Sequence, residues 1–262
     1  MNFNFKGKKI LITGGTHGIG LSCLESYLNL NAQVITFSRD QKKIKKIISK
    51  FKKFKKNFFI FKGDVCDDNF LKNLSQKCLK KFKNIDILIH NVGGGGRWGS
   101  DDIFETEDTV WDQVYKKNIN GIKILNKYFL PGMIKKKWGR IISIGSVCGI
   151  EARQEDRVWF NAAKASQNAI MKSLSKKNYL TKNNITFNII SPGPIFIKNT
   201  GWEDYRKKYP KKFKTFYTKN IPTKHIGEAN DIANAVIFLS SDYSKFINGC
   251  NLTIDGGYSN RF

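Results

Sequence analysis

Residues 10–20 read ILITGGTHGIG: a short apolar strand, a glycine-rich turn, and the opening of a helical pattern. Gly14 permits the tight turn, Gly18 lets backbone approach a diphosphate, and Gly20 allows the helix to pack closely against the strand. The helix N-terminus that follows favours negative charge, which places Thr16, His17 and Ile19 with the glycines around a candidate phosphate cradle. A glycine-rich turn alone is common. Its position directly after the first strand makes it informative.

Outward from this stretch, β-rich runs alternate with helical patterns. KKILIT (8–13) is followed by GIGLSCLESYLNL (18–30), AQVITF (32–37), a lysine-rich helix over 39–56, and NFFIFKGD (57–64). The alternation continues with a helix over 68–82, the strand IDILIHNV, a long helix from Thr109 to Ile134, and RIISIGS. A helix from Phe160 to Tyr179, the strand ITFNIIS, the helix ANDIANAVIFLSS and the strand NLTID complete it. The pattern predicts right-handed βαβ units in an α/β, Rossmann-type doubly wound parallel sheet of about seven strands, one domain spanning 1–262. Residues 194–225 carry Lys, Tyr, Trp and Phe without clean periodicity and read as an excursion over the sheet, a mobile substrate lid.

Composition narrows the function classes. The hydrophobic fraction is 40%, enough for a core, yet no stretch approaches the roughly 18 uninterrupted apolar residues of a membrane span. The opening residues MNFNFKGKKI lack the apolar centre of a secretory signal, so a cytoplasmic protein is expected. Five cysteines, widely scattered and never spaced CxxC, read as reduced thiols rather than a disulfide framework or a metal site. The net charge of +25 is nearly all lysine. In its densest run Ile44, Ile47, Ile48, Phe51 and Phe54 fall on one helical face, which leaves the lysines as a solvated face. With no zinc-finger spacing or RNA-binding motif beside it, the charge makes nucleic-acid binding a minor expectation.

The spacing GxxxGxG in TGGTHGIG resembles that of the short-chain dehydrogenase/reductase family, and later segments resemble its landmarks in order. Gly63-Asp64-Val65 resembles the acidic segment that contacts adenine, and His90-Asn91-Val92-Gly93 the family's NNAG. Asn118 resembles the asparagine of the long helix, Ser146 the catalytic serine, and Lys164 the lysine of YxxxK. Ser191-Pro192-Gly193 resembles the turn beside nicotinamide, and Asp255-Gly256-Gly257 the C-terminal DGG. The resemblance implies hydride transfer between NAD(P)(H) and a carbonyl or alcohol. It also implies roles: Ser146 holds the substrate oxygen, Lys164 binds the nicotinamide ribose, and Asn118 fixes a water. A homotetramer or homodimer is implied as well, built on the two long helices and the last strand.

Two positions depart from the family. Phe160 stands where the tyrosine of YxxxK belongs, and phenylalanine transfers no proton, a loss of roughly 10² to 10⁴ in rate where acid–base assistance is needed. Three explanations stand. The proton comes from Lys164, from a water chain through Asn118, or from the stretch Glu151 to Arg157. Alternatively catalysis has decayed, leaving a cofactor-binding protein without turnover, or the chemistry is an elimination or epimerisation. The retained Asn118, Ser146 and Lys164 favour the first. Ile197 stands where the family has a threonine that bonds the cofactor, leaving main-chain groups around Ile195 to hold the carboxamide.

Cofactor choice follows charge. The second strand ends in Ser38 and Arg39, with no carboxylate to repel a 2′-phosphate, and Arg39 suits bidentate pairing with one. NADP(H) is therefore favoured over NAD(H), with His17 as a further donor; the plainer reading makes Arg39 the solvated start of the lysine helix. Substrate contacts are expected from the loops 94–104, 147–159 and 194–217, which carry Arg97, Trp98, Arg153, Arg157, Trp159, Trp202, Tyr205, Lys207 and Lys208. Arginines and aromatic faces suit a polar anion such as a phosphorylated or nucleotide-linked sugar, although such residues often only anchor loops. The family resemblance also permits a 3-oxoacyl group carried on an acyl carrier protein.

Overall fold

The computed structural model describes residues 2–100, 102–154 and 156–261. Met1 and Phe262, the ends of the expected domain, and Asp101 and Glu155, within the expected substrate and proton-donor loops, lie outside the described residues.

Among the described residues nine strands and nine helices follow one another, alternating over the first half of the chain. They run β1 (Lys9–Thr13), α1 (Gly18–Asn29), β2 (Gln33–Ser38), α2 (Gln41–Lys50), β3 (Phe58–Lys62), α3 (Asp68–Phe82), β4 (Ile87–His90) and α4 (Asp108–Lys136) among the described residues. Then come β5 (Gly139–Ile144), α5 (Val158–Ser175), α6 (Asn178–Thr181), β6 (Ile185–Pro192), β7 (Ile195–Phe196), α7 (Gly201–Lys208), α8 (Pro210–Asn220), β8 (Gly227–Glu228), α9 (Ala229–Leu239) and β9 (Asn251–Ile254). Seven strands form one parallel sheet in the order β3-β2-β1-β4-β5-β6-β9, and β7 and β8 make a separate pair.

The order reverses between β1 and β4. Successive connections leave that point in opposite directions, which opens a crevice at the carboxyl ends of the strands. Strand alternation divides the core between two faces. Ile10 and Ile12 pack with α1 and α9, whereas Leu11 packs with α3, α4 and α5 residues such as Leu74, Leu125 and Met171.

Helix starts follow their capping chemistry. Asp40 accepts from the amides of Lys42 and Lys43 at α2, Asp67 from that of Phe70 at α3, and Glu228 with Asp231 forms a capping box at α9. At α1 the N-cap residue is His17, and its side chain makes no capping bond. The first-turn amides of α1 therefore have no side-chain partner at the end that meets the glycine turn.

Two expectations change. The lysine helix is shorter than 39–56: α2 ends at Lys50 and a 3-10 turn covers Lys52–Phe54. Ile48, expected on its apolar face, is 50% exposed, because α2 lies over the edge strand β3 and its neighbour β2, where the stripe through Ile44 and Ile47 is all that is covered. Residues 194–225 are largely helical. Their aromatic residues escape a single-face period because they pack on each other: Trp202 lies 6.1 Å from Phe213 and 5.0 Å from Phe216, and Tyr205 meets Tyr209 at 5.7 Å. Pro210 opens α8 at the first helical position, where its missing N–H is not needed. No helix among the described residues is long and apolar enough to cross a membrane.

Candidate active site

A groove of about 1130 Å³ runs along the carboxyl ends of the central strands. It brings together Gly14, His17, Gly18 and Ile19 of the glycine turn, Asn91 to Trp98 after β4, Ser146, Phe160, Lys164, and Pro192 to Ile195 after β6. A neighbouring hollow of about 360 Å³ shares Gly14, Val92, Trp98 and Lys117 with it and adds Ser38, Arg39, Asp64 and Val65. Thr16 sits apart, on the outer side of the turn, where its hydroxyl donates to Ser38 Oγ at 3.3 Å.

The glycine turn needs its glycines. Gly14 and Gly18 have φ of +71° and +55°, the left-handed region that L side chains avoid. A Cβ on Gly20 would lie 2.4 Å from the Gly14 carbonyl oxygen, so only glycine lets α1 approach the turn this closely. Asn91 ties the end of β4 to it, donating through Nδ2 to the Thr13 carbonyl at 2.9 Å, while Thr13 Oγ1 accepts from the amides of Asn91 and Val92. The uncapped α1 amides and these tight glycines fit a diphosphate. His17 Nε2 donates to the Lys198 carbonyl at 2.7 Å and so joins the turn to the segment after β7. Ile197 rests on Gly18, where an added Cβ would meet its side chain at 3.0 Å.

At the far end of the crevice Arg39 is largely exposed and pairs with Asp64 at 3.2 Å. Asp64 also accepts from the Cys66 amide at 2.9 Å. Sequence reasoning passed over Lys116 and Lys117, which line this hollow with Arg39; the Lys117 ammonium lies 4.3 Å above the Trp98 ring. Gly193 packs on Asp255: a Cβ there would fall 2.4 Å from that of Asp255, so the turn after β6 lies directly against the C-terminal Asp-Gly-Gly.

Of the expected trio, Ser146 and Lys164 line the centre of the groove, whereas Asn118 is buried and is not part of its lining. Ser146 follows β5 and accepts from the Cys148 amide at 3.2 Å. Lys164, buried on α5, donates to the Ile144 carbonyl at 3.1 Å and to Gln167 Oε1 at 2.8 Å. Burial without a carboxylate partner brings its ammonium down from the ordinary lysine range to about 7, against a smaller upward pull from the Cys148 thiol. Asn118 uses both amide protons internally, donating to the carbonyls of Gly94 at 2.8 Å and Val114 at 2.7 Å. Its own main-chain carbonyl accepts from Gln167 Nε2 at 3.1 Å. A Cβ on Gly93 would lie 2.7 Å from Asn118 Oδ1 and 2.8 Å from Lys164 Nζ, so it would displace one of these side-chain ends.

Gln167 was missed by sequence reasoning. Its signal was a polar amide three residues after Lys164, on the helix face that also carries Ala163 and Met171.

The substrate loops divide. Arg97, Trp98 and Trp202 border the groove. Trp159 does not; it is 2% exposed and packs on Trp111 at 5.7 Å beside Val114 and Ala163, so it builds a small core under the loop. Arg153 is an anchor as well. It pairs with Glu151, with Nε at 2.9 Å, donates to the Tyr258 carbonyl and stacks on the Tyr258 ring at 3.5 Å. From the stretch 151–157, Asp156 reaches the groove, but it accepts from the Arg153 amide, Asn161 Nδ2 and the Cys148 thiol.

Residues 14–259 match the family model described as enoyl-(acyl carrier protein) reductase. The chain is 35% identical to a 3-oxoacyl-[acyl-carrier-protein] reductase of Buchnera aphidicola subsp. Schizaphis graminum, over 95% of this chain and 96% of that protein. It is 29% identical to the corresponding reductase of Escherichia coli K12, over 97% and 98%. Among solved structures it resembles ElxO with NADP bound, at a TM-score of 0.86 and 27% identity over 96% of this chain and 98% of that one. A tyrosine-to-phenylalanine variant of ElxO with NADPH bound gives 0.85 with the same identity and coverage. With the glycine turn, the reversed sheet order and the Ser146 and Lys164 positions in place, these matches establish that the chain belongs to the short-chain dehydrogenase/reductase family of oxidoreductases.

Proposed function

We propose that this protein uses NADPH to reduce the 3-oxo group of an acyl thioester held on a carrier protein. One observation carries the reading: a serine hydroxyl and a buried lysine ammonium line the same groove as the glycine turn. NADPH over NADH is supported by Arg39 at the end of β2 and by structural relatives described with NADP and NADPH bound. The thioester is supported by relatives named for that substrate. The phosphorylated-sugar alternative rests on loop arginines, of which Arg153 is already engaged with Glu151 and Tyr258.

When bound, the dinucleotide supplies the hydride. The chain's residues do the rest. The α1 amides hold the diphosphate, and Arg39 trades Asp64 for the 2′-phosphate. Ser146 donates a hydrogen bond to the substrate oxygen and stabilises the negative charge that grows there. Lys164 Nζ gives that oxygen its proton and is recharged by water from the groove. Phe160 shapes the pocket wall. The region 194–225, joined to the glycine turn by His17 and Ile197, serves as the lid. Assembly into a homotetramer or homodimer uses the α4 and α5 faces, where Tyr115 and Val158 are exposed.

The test is NADPH consumption with acetoacetyl-carrier protein and with a short acetoacetyl thioester. Turnover with NADPH is expected. A protein that binds NADPH in calorimetry but reduces neither thioester, nor any member of a broad carbonyl panel, is instead the cofactor-binding protein without turnover that Phe160 makes the second reading.

A further inference from the structure

Lys164 carries three N–H donors. One goes to the Ile144 carbonyl and one to Gln167 Oε1, which leaves one for the groove. Gln167 is itself fully buried, and its other amide end donates to the Asn118 main-chain carbonyl. The direction of this amide is fixed by chemistry: an ammonium only donates and a peptide carbonyl only accepts. The side chain thus bridges α5 to α4 directly behind the lysine.

We infer that Gln167 is the positioning residue that holds Lys164 for proton transfer. The inference rests on the reductase reading above. Two consequences follow. The bridge removes the rotational freedom of a four-carbon side chain, so the remaining N–H is kept pointed at the groove. A primary amide also fails to pass a proton along as water does, since relay requires the high-energy imidic acid. Recharging of Lys164 is thereby confined to the groove side.

The groups that bear on Lys164 are few. The loop before α4 offers Gly93, α4 offers the Asn118 amide, β5 offers the Ile144 carbonyl, and α5 offers Gln167 and Phe160. The turn after β5 offers the Cys148 thiol, with Asp156 beyond it at 3.6 Å from the sulfur.

The experiment compares wild type with Gln167→Glu and Gln167→Met. Lys164 protonation is followed by the pH dependence of its 13Cε NMR signal, assigned by its loss in Lys164→Met. The pH profile of kcat and the NADPH affinity are read beside it. A carboxylate at 167 is expected to raise the Lys164 midpoint by about one unit or more, and an apolar side chain to lower it by a similar amount. The high-pH limb of kcat should move the same way in each variant while NADPH affinity changes less than about threefold. Folded variants whose Lys164 midpoint and kcat limb stay at the wild-type values overturn the inference. Should Gln167→Glu not fold, Gln167→Met alone supplies both readouts. The NMR titration needs no turnover. A moved midpoint in a protein that reduces no thioester refutes the reductase reading, whereas thioester turnover with an unmoved midpoint refutes the role of Gln167.

Discussion

The centroid of the Phe160 ring lies 5.7 Å from Lys164 Nζ, one turn apart on the same helix. The ring has no proton to give, and the ammonium beside it has. If Lys164 is the donor, Phe160→Tyr adds a phenol where none is required and should change kcat for thioester reduction by less than about tenfold. Lys164→Met should lower kcat by roughly 10² to 10⁴, the usual worth of a general acid. Steady-state kinetics decide: a large gain in Phe160→Tyr would mean that the site lacks a proton donor.

The same lysine sets a pH dependence. With its pKa brought to about 7 by burial, it carries its proton below that value and loses it above. Reduction needs the charged form, so kcat should fall as pH rises through about 7, and alcohol oxidation should show the opposite limb. Stability moves by the same linkage. Between about 7 and the ordinary lysine value of 10.5 the unfolded chain binds a proton that the native state lacks, so Lys164 makes the protein relatively more stable as pH rises. Melting temperatures of Lys164→Met should rise less steeply across that window than those of wild type.

The fold was readable because apolar runs and the glycine turn report local geometry. Helices α1, α3, α4 and α5 and all seven strands of the main sheet fall within a few residues of their sequence patterns. The region 194–225 was not readable, since its apolar side chains pair with one another across α7 and α8 and so trace no stripe. At the site, identities were legible and orientations were not. Nothing in the sequence shows that His17 turns to Lys198, that Trp159 points inward, or that Gln167 reaches Asn118. Each depends on tertiary contacts with a distant segment.

Arg39 should govern the choice of dinucleotide. Its partner Asp64 is an exposed pair of little energetic weight, so releasing it for a 2′-phosphate costs little. Charge-assisted hydrogen bonds are worth about 1.5–3 kcal/mol, so Arg39→Ala should weaken NADPH binding by roughly 10- to 100-fold while leaving NADH within about twofold. Calorimetry with both dinucleotides checks this, and equal losses for the two would assign Arg39 a structural role only.

His90 should make the fold sensitive to acid. It is buried, with Nε2 bonded to Asn126 Oδ1 at 3.1 Å, and burial lowers its pKa to about 4. Below its ordinary value of 6.5 the unfolded chain takes up a proton that the native imidazole refuses until about 4, so stability falls with decreasing pH across that window. The loss amounts to roughly 3 kcal/mol at most, from 1.36 kcal/mol per unit. His90→Asn should flatten the denaturant midpoint between pH 6.5 and 4; an unchanged slope would place the acid sensitivity elsewhere.

Two glycine substitutions separate the dinucleotide cradle from the scaffold. In Gly20→Ala the new methyl would sit 2.4 Å from the Gly14 carbonyl oxygen and 2.5 Å from Asn91 Nδ2. The first of these is backbone, so the turn itself must open, and the α1 amides move away from where a diphosphate would lie. In Gly132→Ala, within α4, the nearest atom is 3.4 Å away and φ is ordinary, so the methyl finds room. There alanine should stabilise the helix by up to about 1 kcal/mol through its better propensity. Gly20→Ala is therefore expected to remain folded by circular dichroism and lose measurable NADPH binding, and Gly132→Ala to keep full affinity with a higher melting temperature. NADPH affinity preserved in Gly20→Ala would move the phosphate site away from the glycine turn.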